Sequence, residues 1–181
     1  KVLEIGCGEG ELASRIYEKE ADITANDYSI TAIDTAEAKY ERYFKPFPHS
    51  EDGKYLVFIH GNYKKLKSGY NRIVMQGVLE HLDNPFTELK WIMDNLLAEK
   101  GDVITSSPCF LNPRGIVWMT LDMLGAVMSK TDLHYLNPCD FQNFCYDNHY
   151  LMQWDTCDYS WAFDVDMITD LKKRIPLALK D

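Results

Sequence analysis

The sequence predicts an α/β protein built on a doubly wound, mostly parallel β-sheet. Short apolar runs rich in β-branched residues alternate with segments of helical periodicity, a pattern typical of strands joined by crossover helices. Glycines follow the first of these runs, where a helical segment begins. The length of 181 residues suits one hydrophobic core.

Five strands and three helices are predicted in the first 107 residues. The strands are placed at residues 1–5, 22–26, 55–59, 71–76 and 101–106. The helices are placed at residues 11–20, at residues 30–44 and from residue 85 onward. Ser29 is expected to cap the second helix, and Pro85 suits the first turn of the third. The pair Pro46 and Pro48 is expected to end the second helix.

The chain is predicted to form a single domain over residues 1–181, with a lid or acceptor-binding segment at about 108–138. Within that segment, residues 116–128 are predicted to form an apolar helix that is too short to cross a bilayer. Packing in the core is the favoured interpretation, and closure over the substrate or peripheral contact with a membrane stay open. An aromatic strand is expected near residues 150–159 and a helix near residues 167–179. Because the chain begins at Lys1 inside a predicted strand, preceding residues are expected to be missing.

Composition and charge narrow the class of ligand. The formal net charge is −9 and the isoelectric point is about 5.0, which disfavours a nucleic-acid substrate because proteins that bind one usually present a basic face. The five cysteines form no CxxC pair and lack zinc-ligand spacing. We therefore expect reduced thiols, a cytoplasmic location and no metal site.

The strongest local signal is the stretch VLEIGCGEGE near the N-terminus. A strand followed by Gly6, Gly8 and Gly10 forms a turn without Cβ atoms, so backbone N–H groups and a helix N-terminus can approach a ligand. A dinucleotide-binding fingerprint would require its third glycine at the position of Glu11. Asp27 follows the second strand, 21 residues after Gly6, where a carboxylate can accept hydrogen bonds from two ribose hydroxyls.

These features together resemble the class I S-adenosylmethionine-dependent methyltransferase family, whose first motif is similar to residues 2–10 and whose second ends in an acidic residue like Asp27. The resemblance extends to about Ser107 and includes HGNYKKL after the third strand and MQGVLEHLDNP after the fourth. It implies a Rossmann-like fold, S-adenosylmethionine as cofactor and S-adenosylhomocysteine as product. The implied acceptor is a small molecule, and the lid is similar in position to insertions of quinone-type methyltransferases.

By this resemblance, each part of the cofactor has its own set of contacting residues. Glu4 would orient the glycine loop, Asp27 would hold the ribose, and Tyr28 would pack on the adenine. The other implied contacts are Gly6, Cys7, Gly8 and Gly10 at the amino-acid end, Asn62 and Tyr63 at the adenine edge, and Gln76 and Gly77 on the path to the sulfonium. The family more often has aspartate at position 62, although an amide also pairs with adenine.

Three residues are candidates for acceptor chemistry. His134 and Tyr135 end the long segment where similar methyltransferases often carry a histidine facing the acceptor, and His134 is favoured as general base. His81 follows the fourth strand, at the sheet edge where open α/β sheets bind ligands. A structural role remains open for each histidine, and Asp83 is expected to cap the helix near Pro85. A histidine base favours O-methylation over N- or C-methylation.

Three other methyltransferase classes are disfavoured. The Pro-Cys nucleophile of cytosine-5 methyltransferases follows the fourth strand, whereas Pro108 and Cys109 follow the fifth. The Asn/Asp-Pro-Pro-aromatic motif of amino-methylating nucleic-acid enzymes is absent after the fourth strand. A catechol-type magnesium site would need oxygen ligands after both of these strands, and the fifth supplies only Ser106 and Ser107.

Two other functions stay open beside methyl transfer. A nicotinamide-dependent oxidoreductase would bind its cofactor at the same sheet edge, although the residue at position 11 and HGNYKKL count against it. A catalytically silent S-adenosylmethionine-binding subunit would keep residues 4–27 and lack an acceptor pocket. The sequence does not indicate the oligomeric state.

Overall fold

The apolar runs of the first 107 residues form the strands of one β-sheet in the computed structural model of the chain. The structure describes residues 1–19, 21–43, 54–109, 119–121, 123–125, 133–155, 169, 172–173 and 176. The chain divides into two units, Lys1–Ser107 and Pro108–Asp181. The single-domain organisation over the whole chain stays a prediction.

Five parallel strands make up the sheet of the first unit. They are β1 Val2–Ile5, β2 Ile23–Asp27, β3 Leu56–His60, β4 Tyr70–Gln76 and β5 Leu97–Ser106. Their order is β3–β2–β1–β4–β5, and each neighbouring pair is parallel. The predicted α/β class with a parallel sheet is therefore confirmed.

Helices cover both faces of this sheet. They are α1 Glu11–Glu18, α2 Ile30–Lys39 and α3 Pro85–Asn95. Starting from β1 at the centre of the sheet, the chain adds β2 and then β3 towards one edge. It then returns to the centre and adds β4 and β5 towards the opposite edge. Because crossovers between parallel strands are right-handed, α1 and α2 lie on one face and α3 on the opposite face. The direction reverses between β1 and β4, and ligands of such sheets bind at that point, beyond the carboxyl ends of the strands.

The core on the α1 and α2 face joins both helices to β2 and β3. Its buried members are Cys7, Ala13, Ile23, Ala25, Ile33, Ala36, Tyr40, Leu56 and Phe58. At the rim of this core the Glu11 carboxylate accepts hydrogen bonds from Tyr40 Oη at 2.8 Å and Lys39 Nζ at 3.1 Å. These hydrogen bonds, the one from Tyr40 first, lower the pKa of Glu11 to about 2. Glu11 therefore ties the start of α1 to the end of α2 as a permanent anion.

The helix ends differ in part from the sequence prediction. Ser29 caps α2, since its Oγ accepts a hydrogen bond from the Ala32 N–H at 3.3 Å, and Pro85 lies in the first turn of α3 as predicted. The predicted extension of α2 to residue 44 is wrong, because the buried ring of Tyr40 is held by its hydroxyl and the chain turns there. The residue at the cap position of α3 is Asn84, so the prediction that Asp83 caps this helix is also wrong.

The last strand starts earlier than predicted. β5 begins at Leu97, directly after α3, instead of at residue 101. Lys100 has a φ of 63°, and the pairing register with β4 shifts between Tyr70 and Arg72. This bulge explains why the glycine at position 101 was mistaken for the strand start.

The second unit contains helix α4, Pro138–Asp147, which starts with a capping box formed by Asn137 and Asp140. Residues 150–155 are not a strand, so that part of the predicted aromatic strand is wrong. The remainder of that strand lies outside the described residues, as does most of the predicted helix at 167–179. Of the predicted helix at 116–128, the described residues 119–121 and 123 are helical. Among described residues, no helix is long and apolar enough to cross a membrane.

Candidate cofactor-binding site

The loop after β1 is held in place by the end of β2. The N–H groups of Gly6 and Cys7 donate to the carbonyl oxygen of Asn26 at 2.8 and 3.0 Å. The N–H group of Gly8 donates to Oδ2 of Asp27 at 2.8 Å. The glycine loop and the acidic residue, which the sequence indicates separately, are thus joined by a hydrogen bond.

The backbone of this loop requires glycine for two separate reasons. Gly6 and Gly10 have φ values of 73° and 79°, in the left-handed region that favours glycine. A Cβ on Gly6 would also lie 2.5 Å from Val78 Cγ2, and one on Gly10 would lie 2.7 Å from the ring of Phe58. The first contact shows that the loops after β1 and β4 touch, as the reversal of strand order predicts.

Asp27 is placed to bind a ligand as well as the loop. Its Oδ2 accepts from the Gly8 N–H and its Oδ1 from the Ser29 N–H, both at 2.8 Å. A carboxylate has about four acceptor positions, so one remains on each oxygen. The backbone donors fix the orientation of the carboxylate and leave it able to accept from a pair of neighbouring hydroxyls.

Glu4 is a buried carboxyl group beneath the glycine loop. Its side chain is 3% exposed and accepts a hydrogen bond from the Ala13 backbone N–H, while Oε2 has no partner. The pKa of Glu4 is raised to about 8, mainly by burial and in smaller part by the charge of Asp27. The group is therefore largely protonated at neutral pH, and its unpaired oxygen is available for a polar or cationic ligand group.

The raised pKa of Glu4 predicts a pH-dependent stability. Below its unfolded pKa of about 4.5 the carboxyl is protonated in both states, and as pH rises towards 8 the unfolded chain loses the proton first. The free energy of unfolding should therefore fall between about pH 4.5 and 8. Glu4→Gln should remove this part of the pH dependence in urea unfolding measured at several pH values.

The exposed neighbour Glu9 provides the control variant, because Glu9→Gln removes a carboxylate of the same kind from the surface and not from the buried site. An identical pH slope in wild type and Glu4→Gln would show that Glu4 does not titrate as described.

Cys7 is not a nucleophile in this setting. The pKa of its thiol is raised to about 12, first by burial and then by the nearby carboxyl groups of Glu4 and Asp27. Because the thiolate is the reactive form, Cys7 acts as a small apolar residue of the core.

A cavity of about 420 Å³ opens beyond the carboxyl ends of β1, β2 and β3. Predicted cofactor residues on its wall are Gly6, Asp27, Tyr28, Asn62 and Tyr63. Other lining residues are Ile5, Asn26, Gly61, Lys64, Val78, Leu82, Asp83, Asn84 and Glu88. The ring of Tyr28 is 82% exposed, which leaves its face free to contact a ligand. The volume is within the usual range for small-molecule sites.

A polar cluster joins the loop after β3 to helix α3 on one wall of this cavity. The Glu88 carboxylate accepts from Tyr63 Oη at 2.5 Å and from Lys64 Nζ at 2.8 Å. Burial first, and then the hydrogen bond to Glu88, raise the pKa of Tyr63 well above its usual range. Asn62 Oδ1 accepts from the Lys64 N–H at 2.8 Å, which holds its amide in one orientation. The Tyr63 phenol is thus a fixed, protonated group.

The other predicted site residues of the first unit do not line this cavity; they are Glu4, Cys7, Gly8, Gly10, Gln76, Gly77 and His81. Gln76 ends β4 and is exposed, and the Gly77 N–H donates to the Ser106 carbonyl at 2.8 Å. His81 is exposed in a short 3-10 helix, Leu79–His81, and its N–H donates to the Val78 carbonyl at 3.1 Å. Beside it, Glu80 is buried and accepts a hydrogen bond from Ser107 Oγ at 3.0 Å. These residues follow β4 and β5, at the same edge of the sheet.

The two remaining catalytic candidates lie in the second unit. His134 is half-buried, and Tyr135 is exposed, in the extended stretch before α4. Their roles in acceptor chemistry stay predictions.

Several lining residues were not found from the sequence. Lys64, Val78 and Leu82 lie inside the motifs HGNYKKL and MQGVLEHLDNP, which therefore indicate their positions at the cavity. Glu88 and Asn26 carried no signal, because one lies on a helix face and the other precedes Asp27 in an otherwise ordinary strand.

The residues present fit an S-adenosyl cofactor. Gly8 has open space beside its Cα, Asp27 has free acceptor positions, and Glu4 has a buried oxygen without a partner. The open space at Gly8 allows the ligand to approach the backbone closely. Asp27 suits the two neighbouring hydroxyls of a ribose, and the free oxygen of Glu4 suits a polar amino-acid end. The anionic Glu11 at the start of α1 is unsuited to a diphosphate.

Comparison with known proteins identifies the class. Residues 1–155 match a family described as a methyltransferase domain. We found no match among curated proteins. The plantazolicin methyltransferase BpumL in complex with SAH is 18% identical, with 99% of this chain and 70% of that chain covered and a TM-score of 0.58.

Two further solved structures share the fold. The magnesium protoporphyrin IX methyltransferase ChlM from Synechocystis PCC 6803, with bound SAH, is 18% identical, covers 81% of this chain and 62% of its own, and has a TM-score of 0.60. A second similar structure is the complex between the Haloferax volcanii Trm112 methyltransferase activator and a methyltransferase. It is 15% identical, the match covers 91% of this chain and 70% of that chain, and the TM-score is 0.62. This chain thus spans about two thirds of the length of these structures.

The fold and the family match define an α/β protein of the class I, Rossmann-like methyltransferase type. The chain belongs to the methyltransferase domain family, whose match covers residues 1–155.

Proposed function

We propose that the protein transfers a methyl group from S-adenosylmethionine to a small-molecule acceptor, with an oxygen atom as the favoured acceptor. The observation that supports this most is the hydrogen bond between the Gly8 N–H and Asp27, which unites the glycine loop and the ribose-type carboxylate at one cavity. When bound, the cofactor supplies an electrophilic methyl group on a sulfonium.

The residues of this chain then have mainly positioning roles. The glycine loop and Glu4 bind the amino-acid end, Asp27 binds the ribose, and Tyr28, Asn62 and Tyr63 surround the adenine. Gln76 and Gly77 lie on the path from the cofactor to the acceptor. Displacement at a sulfonium methyl needs alignment and exclusion of water more than proton transfer.

A small-molecule acceptor is supported by charge. The net charge of −9 repels polyanions, and an apolar segment at 116–128 suits a lid over an uncharged acceptor or a peripheral contact with a membrane. Two proteins of similar fold are methyltransferases of plantazolicin and of magnesium protoporphyrin IX, which are not nucleic acids. We place the protein in the cytoplasm and assign it no metal requirement, because its five cysteines are odd in number, form no CxxC pair and lack zinc-ligand spacing.

Calorimetric titration with S-adenosylhomocysteine and, separately, with NAD tests the cofactor assignment against the oxidoreductase alternative. Binding of the first alone supports methyl transfer, whereas binding of NAD alone would overturn it. A methyl-transfer screen with phenols, amines and carbon acids, using labelled S-adenosylmethionine, then identifies the acceptor atom. Binding without transfer to any acceptor class would favour a catalytically silent subunit.

The O-methylation proposal predicts an effect of His134. If its imidazole removes the acceptor proton, His134→Gln should slow turnover by roughly two to four orders of magnitude without changing affinity for S-adenosylhomocysteine. Single-turnover methyl transfer at saturating cofactor measures this effect.

His81→Gln and Tyr135→Phe serve as the comparison variants. A larger loss in His81→Gln than in His134→Gln would transfer the base role to the loop after β4.

A further inference from the structure

We propose that Asn26 is a positioning residue that couples the glycine loop after β1 to the loop after β3, and thereby fixes the two ends of the cofactor site relative to each other. This inference rests on the proposed cofactor site. Asn26 lies in β2 next to Asp27 and lines the cavity.

The side chain of Asn26 holds the loop after β3. It is 2% exposed, and its Nδ2 donates to the carbonyl oxygens of Ile59 at 2.8 Å and Gly61 at 2.9 Å. Because both partners are acceptors, the nitrogen of the amide must face them, which fixes the orientation of the group. The side chain therefore holds the end of β3 in place by hydrogen bonds, just before Asn62 and Tyr63, which line the same cavity.

The main chain of the same residue holds the glycine loop. Its carbonyl oxygen accepts from the N–H groups of Gly6 at 2.8 Å and Cys7 at 3.0 Å. The next residue adds a further link, since the Gly61 N–H donates to the Asp27 carbonyl at 2.8 Å. Asn26 thus takes part in four hydrogen bonds: it accepts two from the glycine loop, and it donates one to Ile59 in β3 and one to Gly61 in the loop after β3.

Because Asn26 is buried, its replacement should lower the stability of the protein and should disturb mainly the loops that it contacts. A carbonyl deprived of its donor inside the protein is left unpaired in a medium of low dielectric constant, so the loop after β3 would shift to find another partner. The strand ladder on either side would remain. We therefore expect loop displacement at the cavity in addition to a general loss of stability.

A ligand that contacts both loops should bind less tightly when the loop after β3 is displaced. S-adenosylhomocysteine would extend from the glycine loop to the adenine-binding residues Asn62 and Tyr63. Replacement of Asn26 should therefore weaken the binding of S-adenosylhomocysteine.

Calorimetry on Asn26→Leu, at a temperature where urea unfolding shows the variant to be folded, tests this expectation. We expect the affinity for S-adenosylhomocysteine to fall about tenfold or more, as for loss of buried hydrogen bonds. Thr24→Val is the matched control, because Thr24 lies two residues earlier on β2, is also buried, and hydrogen-bonds to Tyr55. It should lose stability with unchanged affinity. Wild-type affinity in folded Asn26→Leu would reduce Asn26 to a structural role and overturn the proposal.

Hydrogen exchange of the wild-type chain tests the coupling even if Asn26→Leu does not fold. The Gly6, Cys7 and Gly61 amides should open together, with protection factors that agree within about threefold, as expected for one cooperative unit. Protection of the two loops that differs by more than about tenfold would overturn the coupling. If the wild-type chain fails to bind S-adenosylhomocysteine, the cofactor assignment fails and hydrogen exchange alone decides on Asn26.

Discussion

Asp27→Ala is expected to weaken S-adenosylhomocysteine binding by about 100-fold. Each hydrogen bond to a charged group contributes roughly 1.5 kcal/mol or more, and about 1.4 kcal/mol corresponds to a factor of ten in affinity. Two ribose contacts therefore account for about 3 kcal/mol. The substitution also releases the Gly8 and Ser29 N–H groups, which loosens the glycine loop. Isothermal titration at neutral pH measures the effect.

Two comparison variants separate the ribose contacts from the loop contacts. Asp34→Ala removes an exposed carboxylate from α2 and should leave the affinity unchanged, which controls for net charge. Asp27→Asn keeps the shape and one acceptor oxygen, so its affinity should lie between wild type and Asp27→Ala. Equal affinity of wild type and Asp27→Ala would remove Asp27 from the site.

The parts of the fold that follow from local pattern were predictable from the sequence. Five apolar runs, the Ser29 cap and the proline in the first turn of α3 all depend on neighbouring residues. The errors arose where a distant contact decides. The extent of α2 depends on the bond between Tyr40 and Glu11, 29 residues away, and no local signal reveals it. The prolines at 46 and 48 therefore gave a false helix end.

The candidate site shows the same division. Glycines and an acidic residue at fixed spacing suggested a nucleoside site, and the structure brings Gly8 and Asp27 within 2.8 Å. Residues that act through tertiary contacts gave no such pattern. Asn26 looks like any polar residue at a strand end, and Glu88 gains its place at the cavity only because Tyr63 and Lys64 pack against α3. Residue spacing in the sequence identifies the residues that bind a ligand more readily than the residues that hold them in position.

Gly6→Ala is expected to destabilise the fold by about 3 kcal/mol. A non-glycine residue at a φ of 73° costs roughly 1–2 kcal/mol. The added Cβ would also lie 2.5 Å from Val78 Cγ2, and overpacking of this kind typically costs about 1–3 kcal/mol. Urea unfolding, with comparison of midpoints at constant slope, measures the total.

Gly8→Ala and a double variant separate the two contributions to this loss. Gly8 has a φ of 51° with nothing within 4 Å of an added Cβ, so Gly8→Ala should lose only the backbone part, about 1–2 kcal/mol. In Gly6→Ala/Val78→Ala the contact is relieved, and the double variant should lose less stability than the sum of the two single variants. Strict additivity would mean that the loops after β1 and β4 do not touch. This contact lies where the strand order reverses between β1 and β4, so the coupling energy between positions 6 and 78 tests whether the two loops meet at that edge of the sheet.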